Sequence, residues 1–329
     1  ERAAGAVALG RLGPDPTSVA ALSSLVSDSQ AGVRTAAVVA LERTQTPAAR
    51  AAVRAALSDD KLSVRLAATR ALGFQRTNES VETLIGALKR SRGRLEAELL
   101  ASLRRLTGAN LGEQARDWLA WWEAVRETYV LPDPNAKPPK GAKRLKTRPR
   151  ARPGYWGASV VSERVAFLVD TSGSMIAERR MQGSTVVVTR MIVAREELRR
   201  VIGELPGRAR FNVIPFASLP QPWKRKSQRA TKKNKAKATS FVGELRARGG
   251  TNIHDALMLA LADPQIDTIW LLTDGEPTLG QVVDPTELLR EVRLKNATRR
   301  VAIHTLGVGL KSAFLARLAA ENQGRHYLR

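Results

Sequence analysis

Residues 165–175 read Val-Ala-Phe-Leu-Val-Asp-Thr-Ser-Gly-Ser-Met. Five consecutive apolar side chains are the pattern of a strand buried on both faces, and the run stops on a carboxylate followed by hydroxyls. A second run, Thr268–Leu272, stops the same way on Thr273-Asp274-Gly275. Further strands are predicted at Phe211–Ile214 and Val301–Leu306, with a short one at His326–Leu328. Amphipathic helical stretches fall between them, near 186–203, 239–247, 253–262, 285–295 and 311–321. Strands alternating with helices specify an α/β fold, a doubly wound parallel sheet covered on both faces. Ligands of such sheets bind beyond the carboxyl ends of the strands.

Those strand ends carry oxygen donors. Asp170, Ser172 and Ser174 follow the first strand, Asp274 follows the third, and Thr251 lies in a Gly249-Gly250-Thr251-Asn252 turn that opens a helix. Two carboxylates and three hydroxyls, without sulfur or imidazole, suit a hard cation: Mg²⁺ first, then Mn²⁺ or Ca²⁺. Two carboxylates are few for a divalent ion. An octahedral cation held this way keeps waters and an open position, which an acidic group from a partner can fill.

Asp170-x-Ser172-x-Ser174, the later Thr251 and Asp274 together form a complete metal-ion-dependent adhesion site pattern. About 80 residues separate the first Asp from the Thr, and 23 more lead to the second Asp. In order and spacing this resembles a von Willebrand factor type A domain, over about residues 160–329, and looks closer to bacterial members at cell surfaces or beside AAA+ ATPases. The resemblance implies that Ser172, Ser174 and Thr251 approach the metal directly and that Asp170 and Asp274 act directly or through water. Two stretches depart from the family: an extra segment, roughly Ile176–Arg190, at the rim of the site, and a lysine-rich run at 223–237, which Trp223 is expected to anchor.

The first 130 residues are organised differently. Leu9, Leu41, Leu72 and Leu103 are spaced 32, 31 and 31 apart, and Leu25, Leu57, Leu88 and Leu119 repeat that spacing. Each marks a helix with apolar residues at i, i+3, i+4 and i+7. Two helices per repeat of about 31 residues specify an all-α solenoid, and the alanine-rich units are similar to HEAT-like repeats. Ser27-Asp28 and Ser58-Asp59 recur in phase as turn and N-cap chemistry. Trp118, Trp121 and Trp122 share the last helix; they seal the end of the core or stack a ligand. The organisation is therefore 1–130 HEAT-like solenoid, 131–157 basic proline-rich linker, and 158–329 type A domain. Tyr155 and Trp156 are expected to pack on the last of these.

Charge is concentrated rather than spread. The 329 residues carry a formal net charge of +23, and the stretches 136–153 and 223–237 hold eight basic residues each with no acid. They are solvated segments or contacts for a polyanion. No apolar run is long enough to span a membrane. The absence of cysteine removes disulfides, cysteine-ligated metals and cysteine nucleophiles. The chain opens at Glu1 on a helical pattern with no start methionine, so a fragment or mature form of something longer is expected; the compartment stays open, with the cell surface favoured over the cytoplasm.

The remaining candidates are few. His254 caps a helix near the site or contacts a partner; Glu276 and Thr278 extend the rim or form the loop; His304 is a core residue. Asn78-Glu-Ser and Asn296-Ala-Thr match glycosylation sequons, which arise often by chance. Phosphate-loop, dinucleotide and nucleophile-elbow motifs are missing, and no second metal or general base accompanies the two aspartates. The expected function is thus non-enzymatic: a scaffold whose Mg²⁺-dependent site binds an acidic group of a protein partner. The competing reading is an RNA-binding protein similar to the Ro autoantigen family, which also joins HEAT-like helices to a type A domain, though with a far longer helical part.

Overall fold

The computed structural model describes residues 1–13, 15–133, 152–180, 187–309 and 311–329. The chain divides into two compact units, Glu1–Ala151 and Arg152–Arg329. The basic stretch 136–153 lies almost wholly outside the described residues, as does the middle of the expected linker.

The described residues of the first unit form eight helices: α1 (Arg2–Leu12), α2 (Pro16–Leu25), α3 (Ala31–Ala40), α4 (Pro47–Ala56), α5 (Leu62–Phe74), α6 (Asn78–Leu88), α7 (Gly93–Thr107) and α8 (Ala115–Val125). Three of the even-numbered helices, α2, α4 and α6, start on side-chain caps: Asp15 before Pro16, Thr46 before Pro47 and Thr77 before Asn78; α8 has none at Gln114. The odd ones differ from the expectation. Asp28 and Asp59 are not N-caps but sit two residues earlier, accepting the backbone N–H of Gln30 and Lys61 at 2.7 and 2.8 Å. Their carboxylates also join successive repeats: Arg34 grips Asp59 with two nitrogens at 2.6 and 2.8 Å, and Arg2 pairs with Asp28. Phe74 lies between the guanidiniums of Arg43 and Arg105, one repeat before it and one after, at 5.8 and 4.9 Å from its ring.

At the end of this array the tryptophans face inward. Trp118 is fully buried and donates to Gly112 O, and Trp122 donates to Glu82. Trp121 meets Trp118 and Tyr129 edge to face. Arg76 reaches Pro132 O, and Leu131 packs on the same core.

The second unit opens with a small hairpin, β1 (Gly154–Tyr155) and β2 (Ala158–Ser159). The main elements follow: β3 (Arg164–Asp170), then β4 (Glu178–Arg180) antiparallel to β5 (Val187–Thr189), α9 (Arg190–Glu204), β6 (Arg210–Phe216), β7 (Gln228–Arg229), α10 (Lys232–Gly243), α11 (Ile253–Ala262), β8 (Thr268–Thr273), α12 (Pro285–Asn296), β9 (Ala302–Gly307), α13 (Ala313–Glu321) and β10 (His326–Leu328). The sheet order is β10-β9-β8-β3-β6-β7, parallel except for β7, which pairs antiparallel at the edge.

Side-chain alternation on β3 sets the two cores. Val165, Phe167 and Val169 face α9 and α10, packed with Tyr155, Phe211 and Trp270. Ala166 and Leu168 face the side of α11, α12 and α13. Tyr155 is buried with its ring edge-on to Phe167 and Trp270, at 5.3 and 5.8 Å, and Trp156 packs on the same cluster. The extra segment before α9 forms the β4–β5 hairpin; residues 181–186 within it lie outside the described residues. Trp223 stacks on Phe211 at 5.3 Å, the expected anchor of the lysine-rich run. That run is not all loop, however. Thr231 caps α10, so the helix starts seven residues before the expected 239 and ends at Gly243. His304 lies against Trp270 at 4.4 Å, partly exposed rather than fully in the core.

Candidate metal-binding edge

β3 is central, with β6 on one side and β8 on the other. The chain leaves β3 in both directions, so a crevice opens at the carboxyl ends of these three strands. Asp170 is the last residue of β3, and Asp274 immediately follows β8. The loop after β3 is tied down by backbone bonds from Thr171 N to Phe216 O, Gly173 N to Gly249 O and Arg248 N to Thr171 O. Gly249 takes φ +76, a conformation that favours glycine, and its missing side chain leaves room for Ser218, whose Oγ would lie 2.6 Å from a Cβ.

All five residues singled out from sequence reach this edge. Asp170 is fully buried; its Oδ1 accepts from Ser172 N at 2.7 Å and its Oδ2 from the Thr273 hydroxyl at 2.5 Å. Ser172 and Ser174 share a hydrogen bond of 2.9 Å, and Ser174 donates to Asp274 Oδ1 at 2.7 Å. Thr251 stands beside Gly275, where a Cβ would lie 3.5 Å from its Oγ1. Its backbone N–H donates to the Thr278 hydroxyl, and its carbonyl accepts from Thr278 N. Thr278 therefore shapes the loop, while Glu276 is exposed at the rim.

Burial pushes the Asp170 carboxyl up to about 6, and the nearby Asp274 charge adds to the rise; the hydrogen bonds from Ser172 and Thr273 work in the opposite direction. Among the described residues no cation pairs with Asp170. A buried carboxylate short of positive charge, ringed by hydroxyls, fits a hard divalent ion in its donor chemistry. Among the described residues no group of three or more His, Asp or Glu side chains is placed to hold a metal, so this edge relies on hydroxyls for most of its donors.

Two further residues take part that the sequence reading did not single out as donors. Thr273, which opens the Thr273-Asp274-Gly275 turn in sequence, is the last residue of β8. Arg190, the first residue of α9, donates to Asp274 Oδ2 at 2.7 Å. His254 is buried, bridged between Asp255 and Glu291 at 2.7 and 2.8 Å, and so belongs to the packing of α11 on α12 rather than to the surface. Asn296 is buried and bonded to Val301 and Asn322, which closes that sequon to a glycan; Asn78, of the other sequon, donates to Tyr129 O. A groove of about 570 Å³ runs from Thr171 and Gly249 between Pro215, Leu219, Phe241 and Arg248.

Residues 163–328, half of the chain, match the family model described as von Willebrand factor type A domain, and residues 33–104 match one described as HEAT repeats. Inter-alpha-trypsin inhibitor heavy chain H4 of Homo sapiens is 32% identical over 182 residues, covering 51% of this chain and 18% of that protein. Heavy chain H2 of Homo sapiens is 29% identical over 178 residues, with 50% and 17% covered. The chain thus spans less than a fifth of the length of these curated relatives. Among solved structures, a von Willebrand factor type A protein from Catenulispora acidiphila aligns with a TM-score of 0.43 at 23% identity, over 52% of this chain and 39% of that one.

Proposed function

The chain belongs to the von Willebrand factor type A domain family, with HEAT repeats before that domain, and from this premise we propose that it is a non-enzymatic interaction protein whose Asp170 edge takes up a divalent cation to capture an acidic group of a protein partner. One observation supports this most: Asp170 is a fully buried carboxylate with no cationic partner among the described residues. Leaving such a charge uncompensated is costly, and a cation removes the cost.

Asp170, Ser172, Ser174, Thr251 and Asp274 are the residues that would hold the ion, Mg²⁺ before Mn²⁺ or Ca²⁺. When bound, the ion supplies a Lewis-acidic position open to a carboxylate. The protein's own part is to hold the donors still. Thr273 and the Ser172 N–H fix the Asp170 carboxylate, the Ser172–Ser174–Asp274 chain of hydrogen bonds fixes those three side chains, and Thr278 holds the backbone of Thr251. The helical repeats would offer a second surface for assembly. Among the described residues no helix is long and apolar enough to cross a membrane.

Calorimetric titration with Mg²⁺, Mn²⁺ and Ca²⁺ tests the metal, and partner capture in Mg²⁺ against EDTA tests its use. Binding that Asp170→Ala abolishes without unfolding the domain is the expected result. Equal partner capture in Mg²⁺ and EDTA would sink the proposal.

A further inference from the structure

We propose that Arg190 is a built-in counter-cation that competes with the divalent ion for Asp274, so that metal uptake and release of this arginine are one linked event. The inference rests on the metal-binding reading of the same edge and adds a residue that sets its affinity.

The Asp274 side chain is fully buried, and both its oxygens are engaged: Oδ1 by the Ser174 hydroxyl, Oδ2 by Arg190 Nη1 at 2.7 Å. Helix stability does not explain the arginine. Arg190 is the first residue of α9, where Thr189 already caps the helix through Ile192 N, and a cation at this end opposes the helix dipole. The surroundings are nevertheless shaped around it. Gly309, just past the end of β9, has φ +66, and a Cβ there would lie 3.2 Å from Arg190 Nη2 and 3.6 Å from its Cζ. The guanidinium thus packs directly on the Gly309 backbone, whose positive φ already favours glycine. Arg190 N also bonds to Ala177 O, which fixes the start of α9 beside the loop that carries Ser172 and Ser174.

A guanidinium and a divalent cation at one carboxylate repel each other, and burial strengthens the repulsion. The two therefore exclude each other at Asp274. Without metal the arginine neutralises that carboxylate; with metal it must leave. Arg190 side-chain exposure is 26%, so it has solvent to move into.

Two experiments decide the matter on the full chain. Calorimetry with Mg²⁺ and Mn²⁺ compares wild type with Arg190→Gln, alongside thermal denaturation in EDTA. The variant should bind about tenfold more tightly or better while melting lower without metal. In the unmodified protein, the Arg190 side-chain ¹⁵Nε resonance, assigned by its loss in Arg190→Lys, should shift on Mg²⁺ saturation. Metal binding by wild type with equal or weaker binding by Arg190→Gln, or an unmoved Nε resonance at saturation, overturns the competition and leaves the metal site standing. No binding by either protein overturns the metal reading, and this inference with it. Binding by the variant alone supports both.

Discussion

Ser174 and Asp274, 100 residues apart in the chain, share a hydrogen bond of 2.7 Å from the serine hydroxyl to Oδ1. Nothing local brings them together. They meet because β8 pairs directly with β3, so the loops after these strands open on one edge. The bond lowers the freedom of both donors before any ligand arrives. Ser174→Ala should therefore weaken divalent-ion binding while leaving the fold intact, read as a raised Kd by calorimetry and an unchanged circular-dichroism spectrum. An unchanged Kd would remove Ser174 from the site.

Asp170 predicts an unusual pH dependence for the metal-free protein. Its carboxyl titrates near 6 in the fold, against 3.8 for the ordinary side chain. The folded-state value is raised, so the fold prefers the neutral acid. Stability is undiminished below about 4, falls as pH rises toward 6, and stays reduced by about 3 kcal/mol above that. Asp170→Asn in EDTA should be more stable than wild type at pH 7, and the gap should close by pH 4. Urea denaturation across pH 4–7.5 measures this directly. Metal affinity should fall below pH 6 for the same reason, because protons and cation claim one carboxylate.

His254 behaves in the opposite sense. Burial alone would depress it, but hydrogen bonds to Asp255 and Glu291 outweigh that and leave it above its ordinary value of 6.5. A raised histidine stabilises fully below its unfolded value, and the contribution disappears as pH rises through the folded one. His254→Gln should lose stability relative to wild type at pH 6 and much less at pH 9. A constant difference across that range would mean the imidazole acts only by shape.

The lysines of α10 test a charge that the helix does not need. Lys232, Lys233, Lys235 and Lys237 stand in its first half, where the dipole disfavours cations. Lys235 is also engaged, its Nζ donating to Gly203 O of α9 at 2.8 Å. The dipole test is therefore the pair Lys232→Gln, Lys233→Gln in the first turn, which should stabilise the domain by about 0.5–1 kcal/mol. If the run also contacts a polyanion, heparin or RNA retention should drop and its salt dependence flatten. A stability gain with unchanged retention would assign these lysines to solvation alone.

The repeat and the site were legible in sequence for different reasons. Leu41, Leu72 and Leu103 recur because identical helix pairs stack identically, and Asp170 and Asp274 stood out because each ends an unbroken apolar strand. The start of α10 was missed: its first residues are Lys-Lys-Asn-Lys, which carry neither apolar period nor favourable dipole charge, and only the Thr231 cap marked it. β7 is two residues long and leaves no alternation to read. Arg190 closes the segment expected at the rim, but its bond to Asp274 left no mark in the string because the two lie 84 positions apart. Asp28 and Asp59 lie at the expected turns with different bonds, since an aspartate two residues before the cap and one at the cap look alike in a string.

The ladder those aspartates form suggests a stabilising change. Positions 28, 59 and 90 fall one repeat apart, and so do Arg2, Arg34 and Arg65. Arg2 pairs with Asp28 and Arg34 with Asp59. The third rung is broken because position 90 is an arginine, and Arg65 Nε is buried without a hydrogen-bond partner. Arg90→Asp would place a carboxylate at the equivalent turn, one that both accepts the Arg92 N–H and faces the stranded guanidinium. Satisfying a buried donor with a charged acceptor is worth about 1–2 kcal/mol. The solenoid unit of Arg90→Asp should unfold at higher urea with an unchanged slope. The double variant Arg65→Met, Arg90→Asp should lose most of that gain, because the new carboxylate then has no guanidinium to meet.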